Sequence, residues 1–200
     1  MYAGTNFLDA AELVRRLEYL FDFAAGIPTL KYLNIGGGIG VDYTGELGQF
    51  DLKYFGQCIA RMTRQLRERL TREIALIFEP GRGLVADSGV FVTRITDIKC
   101  LRGRNYVAVD GSVAVFPRPL LHPRECHRVF PLRESESPEQ QTSYTIVGKT
   151  TFSKDILANT VLSTALRIGD LLAFCDAGAY SRSMASRFLG QDDPNTFILD

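Results

Sequence analysis

Two long segments in the first half of the chain carry apolar residues at the three- and four-residue spacing of an amphipathic helix. The first follows Asp9, a residue type that caps helices, and continues to about Ala25. The second has one apolar stripe, formed by Leu52, Phe55, Ile59, Met62, Leu66 and Leu70. A short apolar run at Leu30–Ile35 lies between the two helices, and another at Ile74–Phe78 follows the second helix. Both runs predict strands. This alternation of helix and strand is typical of parallel α/β structure.

The pattern changes in the second half, where short β-branched or alternating runs are separated by glycine, proline and polar turns. These runs are Val90–Cys100, Tyr106–Val109, Tyr144–Val147 and Leu171–Phe174. They predict a mostly antiparallel β domain from about residue 90 onward. The expected division is therefore an α/β region at 1–89 and a β domain at 90–200.

Both strands of the first region end in loops suited to anions. The first strand leads into Gly36-Gly-Gly38, where backbone N–H groups can close on an anion because no Cβ atom intervenes. The second leads into Glu79-Pro-Gly-Arg82. Either loop alone could be a flexible strand-to-helix connection. Two of them at the ends of neighbouring parallel strands predict one phosphate held at the C-terminal mouth of a barrel.

Composition excludes several other classes of function. Lysine plus arginine and aspartate plus glutamate both number 23, so no charge excess indicates nucleic acid or an acidic membrane as a partner. No apolar run approaches the roughly 20 residues of a membrane span. The four cysteines lack C-x-x-C spacing, which favours reduced thiols in a cytoplasmic protein over disulfides or a zinc site.

Four motifs together resemble the fold-type III pyridoxal-phosphate decarboxylases, which include diaminopimelate and ornithine decarboxylases. In chain order they are Gly36-Gly-Gly38, Glu79-Pro-Gly-Arg82, Arg118-Pro119 and Cys175-Asp-Ala-Gly-Ala-Tyr180. The resemblance covers nearly the whole chain but only the second part of a family member. It implies an α/β fold, the C-terminal part of a (β/α)8 (TIM) barrel followed by a mostly antiparallel β domain, with pyridoxal 5'-phosphate as cofactor.

The resemblance also implies roles for individual residues around the cofactor. Its phosphate is expected to contact Thr5, Gly36, Gly37, Gly38 and Gly81. Glu79 matches the carboxylate that keeps the pyridine nitrogen protonated, so that the ring acts as an electron sink. Tyr180 matches a tyrosine that contacts the cofactor, although it could instead be an ordinary core aromatic.

On the substrate side, Arg82 and Arg118 match arginines near the substrate carboxylate or the cofactor phosphate, anions that a planar guanidinium group pairs with at two points. The family also has a loop motif that reaches across a dimer interface, and its last acidic residue corresponds to Asp155. The substrate is expected to be a small amino-acid-type molecule.

Several positions depart from the family pattern. The Schiff-base lysine of the family lies upstream of every residue here, and no lysine of this chain stands in its context. In the dimer-interface loop, Thr151 replaces the cysteine that returns a proton to the substrate, and Phe152 replaces an acidic residue that binds a distal ammonium group. His122 occupies the position of a tyrosine and is a candidate proton donor, or a surface residue beside Pro123.

These departures leave three functions open. The first is the C-terminal portion of a decarboxylase, in which the first half of the barrel belongs to a longer native chain or to a second polypeptide. The expected partner is a second copy in a homodimer or the chain that supplies that half. Alternatively, the chain is a non-catalytic regulator that binds a partner, as the altered cysteine loop favours. An amino-acid racemase of the same fold type fits the later motifs less well.

Overall fold

The computed structural model describes residues 2–123, 126–133 and 141–199. The chain divides into two compact units, Met1–Val85 and Ala86–Asp200. The division falls close to residue 90, where the sequence pattern changes from α/β to β.

Unit 1 alternates helices and strands in the predicted order. Its elements are α1 (Ala10–Ala24), β1 (Tyr32–Gly36), α2 (Leu52–Leu70), β2 (Ala75–Phe78) and the short α3 (Gly81–Val85). The Asp9 carboxylate accepts the Ala11 N–H at 2.8 Å and so caps α1, as predicted. Asp51 caps α2 in the same way by accepting the Tyr54 N–H at 2.8 Å.

The core of unit 1 forms because both helices present one apolar stripe to the strands. The predicted α2 stripe is buried at Phe55, Ile59, Met62 and Leu66, and α1 packs against it. Strands β1 and β2 pair in parallel, with Tyr32 opposite Ala75 and Gly36 opposite Phe78. The carboxyl ends of both strands therefore lie at one edge of the sheet.

Unit 2 is a six-stranded sheet. Its elements are β3 (Phe91–Leu101), β4 (Arg104–Val109), the short α4 (Arg118–Leu121), β5 (Val129–Pro131), β6 (Thr142–Val147), β7 (Ile156–Leu162) and β8 (Leu171–Phe174). The strand order is β5-β8-β3-β4-β6-β7. Every neighbouring pair is antiparallel except β4–β6, so the prediction of a mostly antiparallel domain is confirmed.

Strand β3 is shared between two partners. Its first part, Phe91–Arg94, pairs with β8. Its second part, from Ile95 to Leu101, pairs with β4, and a bulge between Ile95 and Asp97 interrupts that pairing. A bulge increases the local bend and twist of a strand. The edge strands β5 and β7 also contact one another, so the sheet curls into a nearly closed barrel.

The core of unit 2 is rich in aromatic rings. Phe91 and Phe116 stack with ring centres 4.7 Å apart, and Phe174 meets Phe116 edge-on at 5.6 Å. Strands β5 and β7 were not among the predicted strands. The first has only three residues and ends in a proline, and the second directly follows a segment assigned by resemblance to a loop.

No helix in the described ranges combines the length and the apolar character needed to cross a membrane.

Candidate functional site

The glycine loop and the Glu79 turn touch each other at the edge of the two-stranded sheet. The Glu79 N–H donates to the Gly36 carbonyl at 2.8 Å. A Cβ atom on Gly37 would lie 2.1 Å from the Glu79 carbonyl oxygen, which is closer than any side chain could fit. The two candidate anion loops are therefore one continuous surface, because parallel strands bring their ends together.

The N-terminal segment packs on the same loop. The Phe7 N–H donates to the Gly38 carbonyl at 2.9 Å, and the Gly40 N–H donates to the Phe7 carbonyl at 2.8 Å. Gly38 has φ +92°, and a Cβ atom there would lie 3.1 Å from the Gly4 carbonyl oxygen. This pairing brings the Gly4-Thr5 turn next to the glycine loop, with Thr5 exposed.

Asn34 ties the Glu79 carboxylate to the glycine loop. Its side-chain amide donates to Glu79 Oε1 at 2.7 Å, and its carbonyl oxygen accepts the Gly36 N–H at 2.8 Å. Asn34 was not among the site residues predicted from the sequence. Its position two residues before the glycine run, on the strand that leads into it, is the signal that could have found it.

The loop surface fits an anion such as a phosphate. Within the described residues, the structure gives the N–H groups of Gly37 and Gly38 no hydrogen-bond partner in the chain. Unpaired N–H groups on a surface without side chains can donate to phosphate oxygens. The same part of the chain contains no cluster of three His, Cys, Asp or Glu side chains that could hold a metal ion.

Downstream of the glycine run, the Asp42 carboxylate organises the loop 42–48. Its two oxygens accept from the Thr44 hydroxyl at 2.7 Å and from four backbone N–H groups at 2.6–3.0 Å. Desolvation is the largest single influence and raises the pKa of Asp42. The hydrogen bonds together outweigh it and lower the pKa from 3.8 to about 2.

Replacing Asp42 with asparagine should destabilise the protein near neutral pH by about 1 kcal/mol, a figure reduced from the full pKa shift because the group is half-exposed. A carboxyl group whose pKa is depressed on folding contributes stability above its unfolded pKa. The difference in free energy of unfolding between wild type and variant should therefore shrink as the pH falls from about 4 to about 2. Urea unfolding at several pH values measures it.

Asp22→Asn is the matched control, because the Asp22 side chain is 76% exposed and its nearest charged partner, Arg69, is 3.6 Å away. The free energy of unfolding of this variant should equal that of the wild type at every pH. An Asp42→Asn curve that also follows the wild type would show that the hydrogen-bonded loop does not stabilise the fold.

In unit 2, Arg118 and His122 mark the two ends of the short helix α4. Arg118 is only 5% exposed, whereas His122 is half-buried. The His122 N–H donates to the Arg118 carbonyl at 2.9 Å, so one helical turn fixes the spacing between them. The structure therefore places these two predicted residues together.

The Asp155 carboxylate anchors the predicted interface loop, which joins β6 to β7. One oxygen accepts the Val113 N–H at 2.8 Å, and the other accepts the Thr150 N–H at 3.0 Å and the Thr150 hydroxyl. Asp155 is 4% exposed, and a Cβ atom on Gly148 would lie 2.3 Å from its Oδ1. The visible role of Asp155 is structural, and its contact with a substrate stays a prediction.

The remaining predicted residues of unit 2 lie at its surface. Thr151 is exposed in the same loop, and Phe152, 39% exposed, meets Phe188 edge-on with ring centres 6.4 Å apart. Tyr180 is 48% exposed and has a left-handed backbone with φ +63°. All three side chains are therefore accessible to a ligand.

The Cys175–Tyr180 motif forms a tight turn after β8. Asp176 has φ +56° and pairs with Arg128 at 3.0 Å. A Cβ atom on Gly89 would lie 2.9 Å from the Gly178 backbone, so the turn packs directly against the start of unit 2. Position 89 therefore requires a glycine for the turn to pack in this way.

Comparisons with known proteins agree with these features. A model described as the C-terminal sheet domain of pyridoxal-dependent decarboxylases matches residues 17–178. Diaminopimelate decarboxylase of Archaeoglobus fulgidus is 33% identical over 195 residues, which are 95% of this chain and 45% of that protein. The L-glutamyl-[BtrI acyl-carrier protein] decarboxylase of Niallia circulans is 26% identical over 205 residues, 97% of this chain and 48% of that protein.

Comparison with solved structures finds the same family. The crystal structure of diaminopimelate decarboxylase from Helicobacter pylori, complexed with L-lysine, superimposes with a TM-score of 0.80 at 28% identity. The match covers 92% of this chain and 44% of that one. The chain thus spans less than half the length of these relatives. It belongs to the fold-type III pyridoxal-phosphate-dependent decarboxylases, and it corresponds to the part of the family that contains the C-terminal sheet domain.

Proposed function

We propose that this chain is the C-terminal portion of a pyridoxal-phosphate-dependent amino-acid decarboxylase. In this proposal, unit 1 is the last part of a (β/α)8 barrel and binds the cofactor, and unit 2 carries the loops for the substrate and the dimer interface. One observation carries the proposal. The glycine loop and Glu79, joined through Asn34, form a single surface with a carboxylate beside free backbone N–H groups. A protein-binding surface has no need of that arrangement.

The residues of unit 1 suit the two ends of the cofactor. Gly36, Gly37 and Gly38 would receive its phosphate together with Thr5 and Gly81. When bound, pyridoxal phosphate supplies an electron sink for the bond that breaks as CO2 leaves. Glu79 would face the ring nitrogen and keep it protonated, and the Asn34 amide holds that carboxylate in place at 2.7 Å.

On the substrate side, Arg118, Tyr180 and Arg82 are proposed to orient the substrate carboxylate and the cofactor. Phe152 stands where the family motif has an acidic residue, and it cannot offset the charge of a distal ammonium group. An ammonium left unpaired in a site costs on the order of a few kcal/mol. The proposed substrate is therefore larger, apolar or carrier-bound, with polar contacts from Asp155 and His122. The acyl-carrier decarboxylase relative is named for a substrate of the carrier-bound kind.

Proton return to the substrate needs an acid other than Thr151 itself. A threonine hydroxyl is a far weaker acid than a thiol, whose pKa is about 8.5. His122 is the proposed donor, because imidazole groups, whose ordinary pKa is about 6.5, exchange protons at neutral pH. Thr151 would then hold a water molecule rather than give up its own proton.

Glu79→Gln in the complete enzyme should lower kcat for decarboxylation by about a hundredfold or more, because a neutral amide cannot stabilise a protonated ring nitrogen. Release of CO2 from amino-acid substrates measures the effect. Glu46→Gln, at an exposed position of the 42–48 loop, is the control and should retain wild-type activity. A Glu79→Gln enzyme with unchanged kcat would contradict the role given to Glu79.

The second candidate is a non-catalytic relative that works by binding a partner. The observation that favours it is the pair Thr151 and Phe152, which replaces both chemical groups of the family's interface loop. A complete protein that releases no CO2, but gains activity as Thr151→Cys, would support this candidate over the enzyme. Release of CO2 by the wild type would exclude it, and loss of that activity in His122→Phe would support His122 as the proton donor.

The chain is also proposed to need another chain segment, from a longer polypeptide or a partner, to cover unit 1. A two-stranded parallel sheet has two open edges, and β2 exposes Ile77 at 39% and Phe78 at 45%. A groove of about 600 Å³ beside β2 is lined by Phe55, Ile59 and Leu76 among others. In the proposed enzyme, the first half of the barrel fills this groove.

The isolated 200-residue chain should therefore self-associate and should not complete a catalytic cycle. Light scattering on the purified chain measures its mass in solution. Coexpression with the segment that completes the barrel should give a defined complex. A monodisperse monomer of the isolated chain would contradict this expectation.

A further inference from the structure

Arg82 contacts a buried tyrosine, Tyr43, which was not among the site residues predicted from the sequence. Its Nη1 donates to the Tyr43 hydroxyl at 2.7 Å, and its guanidinium carbon lies 5.7 Å from the centre of the Tyr43 ring. Tyr43 is only 2% exposed, whereas the Arg82 side chain is half-buried. The contact joins two residues that are 39 positions apart in the chain.

The chain on both sides of Tyr43 is firmly held. The Val41 N–H donates to the Asn6 side chain at 2.9 Å. On the other side, the Asp42 carboxylate collects the hydrogen bonds of the 42–48 loop. Tyr43 is therefore the fixed member of the pair. The long Arg82 side chain, with much more rotamer freedom to lose, is the member that the contact restrains.

The backbone of the Arg82 turn is also packed against the glycine loop. A Cβ atom on Gly83 would lie 2.8 Å from Ile39 Cγ2, so a side chain at this position would force Ile39 to move. Both ends of Arg82 are thus constrained, the backbone by this packing and the head group by Tyr43. A guanidinium carries five donors in a rigid plane, and fixing one of them sets the direction of the others.

We propose that Tyr43 is a positioning residue, which aims the Arg82 guanidinium at an anionic group of the ligand bound at the glycine loop. This inference rests on the function proposed above. The anion is either the phosphate of the cofactor or the carboxylate of an amino-acid substrate, since a guanidinium recognises both in the same two-point manner.

The test uses the complete enzyme and non-covalent probes, so that binding is measured apart from activity. The first probe, 4-deoxypyridoxine 5'-phosphate, carries the phosphate alone. The second, N-(5'-phosphopyridoxyl)glycine, adds an amino-acid carboxylate. Tyr43→Phe keeps the ring and removes only the hydroxyl, and we expect it to raise the Kd about 3- to 10-fold. If Arg82 binds the phosphate, the variant should bind both probes more weakly. If Arg82 binds the carboxylate, only the affinity for the second probe should fall.

A double-mutant cycle separates positioning from a general structural effect. Arg82→Gln should weaken binding more than Tyr43→Phe does, and adding Tyr43→Phe to it should cause no further loss. Tyr19→Phe is the matched control, because the Tyr19 side chain is 79% exposed on α1, and it should leave both Kd values unchanged.

Three results would overturn the inference. Tyr43→Phe could leave both affinities unchanged, or it could weaken binding equally with and without Arg82, which would indicate a structural effect alone. If Arg82→Gln itself changes neither affinity, the role given to Arg82 in the proposed function is wrong. The positioning role of Tyr43 is then wrong as well. The first two results leave that proposed function intact.

Discussion

Replacing Gly37 with alanine is expected to destabilise unit 1 by about 3 kcal/mol or more and to weaken cofactor binding more than a hundredfold. The new methyl group would lie 2.1 Å from the Glu79 carbonyl oxygen, and that contact is with backbone rather than with a flexible side chain. The two strand ends must separate to accept it, which is overpacking of a severe kind. Their separation disrupts both the loop for the phosphate and the position of Glu79.

Gly56→Ala is the matched control for this prediction. Gly56 lies within α2, and a Cβ atom there would meet nothing within 4 Å. Alanine favours a helix interior over glycine, so this variant should be more stable than wild type by about 0.5–1 kcal/mol. In the complete enzyme, chemical unfolding measures the stability of both variants, and titration with 4-deoxypyridoxine 5'-phosphate measures their affinity for the cofactor analogue. Wild-type stability in Gly37→Ala would show that the two loops are not in contact.

Asp155→Ala is expected to destabilise unit 2 by roughly 3–5 kcal/mol, because it leaves two backbone N–H groups and a threonine hydroxyl without their acceptor. Those donors belong to Val113 and Thr150, and Asp155 itself is 4% exposed. The loop that carries Thr151 and Phe152 should lose its fixed shape. Hydrogen exchange of the Val113 and Thr150 amides measures this loss directly, alongside urea unfolding.

Asp97→Ala controls for the simple removal of a carboxylate from unit 2. Its side chain is 43% exposed and pairs with Lys99 at the surface, where ion pairs contribute little. Protection of the Val113 and Thr150 amides should be the same in this variant as in wild type. If Asp155→Ala also leaves it unchanged, the carboxylate does not anchor the loop, and its predicted contact with substrate would gain support.

The local patterns of the sequence predicted the parts of the fold that depend on local physics. The Asp9 cap, the α2 stripe and the parallel arrangement of β1 and β2 follow from periodicity and from the order of the elements. The contact between the glycine loop and Glu79 follows in turn, because parallel strands end at the same edge of a sheet. The family resemblance added the identity of the anion, which no pattern of glycines could specify.

The residues that the sequence did not identify act through contacts distant in the chain. Asn34 reaches Glu79 across the sheet, and Tyr43 reaches Arg82 from an irregular loop. Neither contact leaves a periodic signal. Asp155 shows the converse case, since its place in a family motif suggested substrate binding, whereas its two oxygens hold the loop that contains it. The hydrogen bonds of the folded chain reveal this structural role, and the contact with substrate stays a prediction.

The position of β8 within its sheet has a consequence for the order in which the protein folds during synthesis. Strand β8 is Leu171–Phe174, near the C-terminal end of unit 2, yet it lies between β5 and the first part of β3. When Phe91–Arg94 leaves the ribosome, the side of this segment that pairs with β8 has no strand partner until Leu171–Phe174 has been synthesised. Such a pairing forms late because the long chain segment between the two strands must first close into a loop. Until then an apolar strand edge stays exposed to neighbouring chains. Efficient production of this protein should therefore depend on chaperones that cover this edge during that interval, and truncation before Leu171 should give aggregates rather than a smaller folded domain.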